Sequence, residues 1–566
     1  MPIRLSGINS GLDTDAIVKE LVSAYSLKTE KYEKQKTKVE WKQDAWKNLN
    51  TKIYGLYTNI SNLRFDSAYN LKKTTVSDST KATVTAASGA VTGTQKLNVL
   101  QTAQASYITG GYIGKDVTAS TTLKELGYTG EATSIKVKGK DGKETSIDIT
   151  ADTKISDIIS KFKDAGLNAN FDTNNNRIFL SAKESGEAGD FDIVADDSNG
   201  FAVLSALGLA STEDAAEDIK RQANEYNKLY AEYDALRNSG ASDEESLKRL
   251  EELKDLLASY SADIKAVAGG VKKAEDVVDT DNLATKITGQ DAKIKLNGVE
   301  FTSSSNTFQV NGLTIEAQAV TGDGDKNAVT INTTVDTQGI YDKIKDFLTE
   351  YNNVINEITK LYNAESASEY EPLTDEEKDA MSDEQIEKWE NKIKSALLRR
   401  DTSLGNIMNA MVNSMSQTFE VDGQKLSLGN FGISTLGFLN AAENEQYAYH
   451  IDGDEDDENT SGKTDKLMAA IQENPDQVMD FMKQLTSNLY TAIDDKMKST
   501  ELSSAYKVYN DKEMDKELDD IADLIEKWED KIAEQEDAYY KKFSNMEVAL
   551  SKLQSQTNSL AGLLGQ

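Results

Sequence analysis

Apolar residues recur at every seventh position near both ends of the chain and at every second position through its middle, and these two periods divide the sequence into helical and β regions. After Leu12, either Asp13 or Thr14 can cap a helix, and Asp15 places negative charge on its first turn. Val18, Tyr25, Tyr32, Val39, Trp46, Ile53 and Ile60 then fall seven apart, with Leu21, Leu49, Leu56 and Leu63 in the companion position. Polar Lys28, Gln35 and Lys42 interrupt the companion row, so the predicted seam is wide at both ends and narrow in the middle. The C-terminus follows the same rule: Leu518, Ile525, Ile532, Tyr539, Met546, Leu553 and Leu560 are seven apart, joined by Phe543, Leu550 and Leu564. Such stripes pack on each other, on copies of themselves, or on both; two helices each packed on its own domain would give the same spacing. Charge favours mutual pairing, because residues 28–52 hold eight Lys against four acids and residues 511–537 hold four Lys against thirteen acids.

Between about 74 and 335 short alternating runs such as ATVTA, KLNVL, SIKVKG, RIFLSA and AKIKLNG predict mainly antiparallel β structure, punctuated by turn pairs Asp141-Gly142 and Asn297-Gly298. SDIISKFKDAG predicts one helix within it. A helical hairpin is predicted over 213–265, with Ile219, Ala223, Tyr226, Tyr230 and Tyr233 on the way out and Leu247, Leu250, Leu253, Leu257 and Ile264 on the return. From 336 helices resume; TDEE at 374–377 and SDEQ at 382–385 read as capping boxes, and TFEVDGQKLSLGNFGIS is a further β-like piece. The expected fold class is α+β and multidomain: long terminal coiled-coil-like helices and a helical bundle flanking inserted, mainly antiparallel β domains.

Composition narrows the chemistry. With 566 residues, roughly four domains are expected, and three prolines, far below the ~5% of average chains, permit long uninterrupted elements. A net charge of −33 opposes binding to nucleic acid or anionic lipid. The absence of cysteine removes thiol nucleophiles, disulfides and thiolate metal sites, and with His450 the single histidine, multi-His metal sites are impossible and any Ser/His/Asp triad must use it. His450, between Tyr449 and Ile451 and without a G-x-S-x-G motif, reads as a strand or loop residue. Asp452, Asp454 and Asp456 have the spacing of a calcium loop's first ligands, but Asp457 stands where Gly is needed and Lys463 where Glu is needed, so a solvated acidic loop is expected. Gly462-Lys463-Thr464 resembles the end of a phosphate loop whose first Gly is missing. Tyrosines along the helical stripes are read as packing residues with hydroxyls at the rim. No catalytic, cofactor or metal site is expected. The first ten residues lack the basic and apolar regions of a secretory signal, and no run reaches the ~18 apolar residues of a membrane span, so the expectation is a cytosolic protein or one exported by a route that reads no such peptide.

SGLDTDAIVKELVSAY at 10–25, GQDAKIKLNGVEFTSSSNTFQVNGLTIEA at 289–317, DKLMAAIQENPDQVMDFM at 465–482 and the closing heptad together resemble the flagellar hook-associated protein 2 (FliD, filament cap) family over nearly the whole chain. The segment from SIKVKGKDGKETSIDIT through RIFLSAKESGEAG is similar to an insertion module of flagellin-related proteins, whereas the 213–265 hairpin departs from the family and reads as a lineage-specific insertion. The resemblance implies a non-enzymatic cap, exported through the flagellar type III channel without a cleaved signal, that forms a homo-oligomeric ring at the distal tip of the extracellular filament and promotes folding and polymerisation of flagellin. Implied partners are copies of itself, flagellin, the hook–filament junction protein, an export chaperone and, for the exposed domains, host mucin or glycans. It also implies terminal leg helices at 1–40 and 535–566, disordered in the free monomer; a bundle with a small β element at 41–72 and 335–534; a β domain at 73–110 and 283–334; and a distal β-rich domain at 111–282. Val18, Leu21, Tyr25, Tyr32, Tyr539, Phe543, Met546, Leu550, Leu553, Leu560 and Leu564 would carry assembly, exposed in a single chain and covered in the ring. The alternatives are another flagellar axial protein such as the junction protein, an extracellular adhesin, or a carboxylate hydrolase in the β middle.

Overall fold

A computed structural model describes residues 10–240, 242–280 and 282–564 of an α+β multidomain chain. Two compact units are present, one formed by Met1–Leu71 with Val335–Gln566 and the other by Lys72–Thr334. The chain opens with helix α1 (Thr14–Leu63) of the first unit. Asp13 is its cap, accepting a hydrogen bond from the Ala16 N–H, and Thr14 is the first helical residue.

The second unit begins with strands β1 (Lys72–Val76), β2 (Ala82–Ala86), β3 (Gly93–Gln101), β4 (Ala105–Thr109), β5 (Thr133–Gly139) and β6 (Glu144–Ile149). There follow α2 (Ile155–Asp164), β7 (Asn168–Asp172), β8 (Arg177–Ser185), β9 (Phe191–Ala195) and α3 (Ser198–Ala206). The helical insert is α4 (Thr212–Asn238), α5 (Glu244–Ser259) and α6 (Ala262–Ala268). Six strands close the unit: β10 (Thr285–Ile287), β11 (Ala292–Leu296), β12 (Val299–Ser303), β13 (Thr307–Val310), β14 (Leu313–Ala317) and β15 (Val329–Val335).

A five-stranded sheet in the order β1-β15-β3-β11-β12 and a three-stranded sheet in the order β13-β14-β2 share one core, in which Leu97, Val99, Ile294 and Ile331 meet Val84, Phe308 and Ile315. Alternation does this directly: in β11, Ala292, Ile294 and Leu296 are buried while the two lysines between them face outward. Asn297 and Gly298, both with positive φ (48° and 84°), make the tight turn into β12 that this dipeptide favours. A second core lies among the sheets β10-β4-β8-β7 and β6-β5-β9, to which α2 contributes Ile155, Ile158, Ile159 and Phe162.

The predicted hairpin over 213–265 proves to be three helices. The return helix ends at Ser259, and Ser261 caps a separate α6 by accepting from the Ile264 N–H, so Ile264 belongs to α6. Seryl capping competes with helix continuation, which is why the leucine spacing alone did not reveal the break. The apolar stripe also fades toward the hairpin tip, where Tyr230 and Leu247 are exposed.

The base of this insert requires glycine. A Cβ on Gly111 would come within 2.1 Å of the Asn282 carbonyl oxygen, and Gly208, at φ +65°, would place a Cβ 2.7 Å from the Gly111 carbonyl oxygen. Gly111→Ala is therefore expected to cost the second unit about 1–3 kcal/mol, the range for forced overpacking. Far-UV circular dichroism is the measurement, because Trp41, Trp46, Trp389 and Trp528 are all in the first unit and tryptophan emission should stay unchanged.

The first unit resumes with α7 (Thr337–Tyr362), α8 (Asp375–Asp379), α9 (Asp383–Ala396) and α10 (Thr402–Met415), then the hairpins β16 (Phe419–Val421) with β17 (Gln424–Leu426) and β18 (Ile433–Thr435) with β19 (Tyr449–Ile451). It ends with α11 (Lys466–Glu473), α12 (Pro475–Met497) and α13 (Asp511–Leu564). Both predicted capping boxes form, Thr374 with Glu377 and Ser382 with Gln385. The motif DKLMAAIQENPDQVMDFM is two helices back to back: Asp465 caps α11, Asn474 caps α12, and Pro475 occupies the first helical position where no N–H is needed. One core joins Trp46, Ile53, Leu56 and Ile60 of α1 with residues such as Phe347 of α7, Met411 of α10 and Phe481 of α12. Tyr351 departs from the expectation of rim hydroxyls. It is fully buried at the centre of α7, its hydroxyl has no hydrogen-bond partner, and burial pushes the phenol well above its usual range.

Candidate functional site

The two terminal heptads meet as one antiparallel pair. Asp15 accepts a hydrogen bond from the Tyr540 hydroxyl (2.8 Å), Tyr25 packs on Trp528 with ring centroids 6.2 Å apart, Gln43 donates to Asp515 (2.6 Å), and Trp46 stacks on Tyr509 (5.2 Å, 8° between planes). As the position on α1 rises from 15 to 46, its partner falls from 540 to 509, an equal advance along each strand of the pair, as an unbroken antiparallel register demands. At the far end Ser10 donates to the nearly buried Glu547.

The register is set where α13 begins. Trp46, Asn50 and Tyr54 stand one turn apart on the same face of α1. Trp46 stacks on Tyr509, Asn50 donates to the Tyr506 carbonyl (3.1 Å) and accepts from the Val508 N–H (3.0 Å), and Tyr54 meets the Tyr506 ring edge-on. Tyr506 has a left-handed φ of 63°, a conformation that costs energy in a non-glycine residue and is held by these contacts.

The candidate assembly residues divide into three groups. Val18 is 1% exposed and Tyr25, Tyr32, Tyr539, Phe543, Met546 and Leu550 are half-buried, so the chain already covers part of the row expected to be open in a single copy. Leu21 (43%), Leu553 (59%) and Leu560 (58%) are exposed. Leu564 ends α13, and its side chain lies outside the described residues. Leu21 is not the companion of Val18: Val22 and Thr29 are buried in its place. A helix of 3.6 residues per turn drifts from a strict seven-residue row, and on this stretch the facing side moves one position onward. Sequence reasoning also missed Trp528, three positions after Ile525 on the same helical face, and Glu547, whose charge argued against burial.

Opposite charges are not matched as side-chain pairs. Among the described residues, no Lys of α1 forms an ion pair with an acid of α13. Lys34, Lys42 and Lys52 instead reach Glu377 (3.0 Å), Asp401 (2.9 Å) and Glu357 (3.2 Å) of the bundle, and Lys28 lies over the Trp528 ring (4.4 Å). The Thr374 N–H and the Lys34 ammonium hold the Glu377 carboxyl below its usual range, against a smaller opposing effect of burial. An apolar seam excludes the charged heads to the flanks, where other elements reach them first.

The acidic loop also differs from expectation, since it is only partly solvated. Lys345 lies 2.6 Å from both Asp454 and Asp456, Lys463 is 2.8 Å from Asp452, and His450, in β19, meets Asp457 through Nδ1 at 2.5 Å. Lysine ammonium groups from α7 and the loop itself take the places a cation would need. Burial pushes the Asp457 carboxyl up, but the His450 hydrogen bond and the Asn459 N–H outweigh it and leave it below the usual range. A depressed carboxyl stabilises the fold above its unfolded-state value of ~4 and loses that contribution as pH falls through the folded value. Asp457→Asn should therefore lower the melting temperature at pH 7 and flatten its decline below pH 4, which a pH series of thermal melts would read. Among the described residues no group of three His, Cys, Asp or Glu side chains is placed to hold a metal ion, and no helix is long and apolar enough to cross a membrane.

Two family models match the chain: Flagellar hook-associated protein 2 N-terminus over residues 10–106 and Flagellar hook-associated protein 2 C-terminus over residues 289–555. The first covers α1 to the start of β4 and the second covers β11 into α13; the helical insert lies outside both. Flagellar hook-associated protein 2 of Halalkalibacterium halodurans is 23% identical over 597 residues, covering 99% of each chain. The protein of the same name from Thermotoga maritima is 23% identical over 617 residues, covering 98% of this chain and 94% of its own. Among solved structures, the D1-D2-D3 domains of the flagellar cap protein FliD from Escherichia coli align with a TM-score of 0.45 at 18% identity, over 79% of this chain and 95% of that one. Matched at both ends and in order by the two models, the chain belongs to the flagellar hook-associated protein 2 family.

Proposed function

We propose that this protein is a non-enzymatic filament cap, which oligomerises at the distal tip of the bacterial flagellum and promotes the folding and polymerisation of exported flagellin beneath it. The observation that carries the reading is the unfinished seam of α13. Past Glu547, the last residue with a described contact to the chain's opening segment, the helix continues to Leu564 with Val548, Leu553 and Leu560 exposed and the seven-residue spacing unbroken. An apolar row that keeps its period while its side chains stay exposed among the described residues is suited to copies of the same chain or to helices of the filament. On this reading residues 1–40 and 535–566 are the legs, 41–72 with 335–534 the plate-forming bundle, and the β domains at 73–334 the exposed part. Partners are further copies, flagellin, the hook–filament junction protein and, before secretion, an export chaperone. Electron microscopy of the purified full-length protein is the test: plates with protruding legs are expected, together with labelling of filament tips by antibody. Monomers at all concentrations, or labelling at the hook junction, would contradict the cap assignment.

A further inference from the structure

The turn between β18 and β19 carries the two most exposed large apolar side chains among the described residues, Phe438 (84%) and Leu439 (92%). A single exposed leucine is ordinary. This adjacent pair differs because its backbone is tied down. Gly437, at a left-handed φ of 74°, turns the chain outward, and its carbonyl accepts from the N–H groups of Asn440 (3.3 Å) and Ala441 (3.0 Å). Behind the tip, Asn363, just past the end of α7, donates to the Asn444 side chain at 3.3 Å. A turn held in this way loses little freedom when a partner covers it. The only charged residues between Ile433 and Tyr449 are Glu443 and Glu445.

A groove of complementary character lies elsewhere in the same unit. It is an open space of about 670 Å³ along α9, with Tyr370, Met381 and Trp389 as its apolar wall. The Trp389 indole N–H donates to the Glu371 carbonyl (2.8 Å) and the ring meets Tyr370 edge-on with centroids 4.7 Å apart, so both rings are already set. Lys388 and Lys392 are the only charged residues that line it, while Glu387 and Glu390 of the same helix do not. Lys392 lies 3.6 Å from Glu365, but that carboxylate is 91% exposed, and so wet a pair exchanges partners at little cost.

Each surface supplies what the other lacks. Phe438 and Leu439 stand in solvent, so the turn does not fill the groove of its own chain. Copies carrying −33 each repel one another, and a contact between them needs a local match of opposite charge. Glu443 and Glu445 on one side and Lys388 and Lys392 on the other provide it. A preset tryptophan and tyrosine are also the residue types that anchor interfaces. Two different patches on one chain make a heterologous contact, which passes from copy to copy and closes into a ring.

We propose that Phe438 and Leu439 of one copy seat in the Trp389 groove of the next, with the two glutamates against the two lysines. The proposal rests on the cap reading and gives the bundle a contact of its own, separate from the α13 row.

The chain has no cysteine, so single cysteines report the contact without background. Full-length Asn440→Cys and Ser395→Cys proteins are mixed at a plate-forming concentration and treated with a short bismaleimide. Dimers linked 440 to 395 are expected to predominate. Phe438→Ser with Leu439→Ser should raise the concentration needed for association at least about a hundredfold, as loss of two covered apolar side chains requires. Glu443→Lys with Glu445→Lys lowers the net negative charge, so general repulsion predicts tighter association; the proposed contact predicts weaker association, restored when Lys388→Glu and Lys392→Glu are added. Links of 440 to 440 or 395 to 395 in equal yield overturn the proposal. A 440–395 link formed only within single chains carrying both cysteines does so too, as does weakening that persists with both charge sets reversed. Plates that form without the 440–395 link end this contact alone, whereas monomers at every concentration end the cap reading with it.

Discussion

Phe543→Ser combined with Leu550→Ser is expected to abolish incorporation of the protein at filament tips while the β sheets of the second unit remain folded. Both side chains are half-buried on the α13 row. Full burial of a large apolar side chain is worth about 1.5–3 kcal/mol, so completing the burial of two half-buried ones contributes about half of that for each, and losing both weakens each subunit contact roughly tenfold to a hundredfold. Because Phe543 and Leu550 also lie near the pairing with α1, loss of assembly could be charged to a loosened monomer. Leu553→Ser with Leu560→Ser removes that ambiguity, since these residues are more than half exposed in the single chain. The second pair should leave the melting curve of the dilute protein unchanged and still prevent plates and tip incorporation. Caps that assemble normally with all four serines would show that the row past Glu547 is not the interface.

Trp46→Ala is expected to remove about 3–5 kcal/mol from the first unit, the range for truncating a buried aromatic residue. Trp46 is fully buried, stacked on Tyr509, and belongs to the same face as Asn50, which fixes Tyr506 and Val508. The substitution therefore empties core volume and loosens the segment that aims α13 back along α1. Denaturant unfolding followed by the three remaining tryptophans, all in the first unit, should show the midpoint shift, and far-UV dichroism should show the β unit melting as before. A loss below ~1 kcal/mol would mean that the 506–509 segment closes over the gap.

The alternating strands were legible because β pattern and turn chemistry agree locally: AKIKL needs only its own period and the following Asn297-Gly298 to place Ala292, Ile294 and Leu296 inward. The capping boxes at Thr374 and Ser382 were likewise local, each satisfied within three residues. Leu21 was misplaced because the choice between it and Val22, adjacent on α1, depends on where α13 lies, and the ~20° of drift per heptad has to accumulate along the helix before it exchanges them. The acidic loop was misjudged for a similar reason, since Lys345 arrives from a helix about a hundred positions earlier.

What the sequence determined on its own is the kind of protein this is. Two heptads without internal proline make two long helices, the β repeats between them make sheets, and the lack of Cys with a single His withholds most catalytic chemistry. Those properties follow from local periods and side-chain inventory. The tertiary structure decided the pairing itself: antiparallel, with Asp15 opposite Tyr540 and Trp46 opposite Tyr509, and with the lysines of α1 serving the bundle instead of the acids of α13. A heptad states that a helix has an apolar side; which residue of another helix meets it depends on loop closure and on the few buried contacts, here at residues 506–509, that select one register among several of similar apolar content.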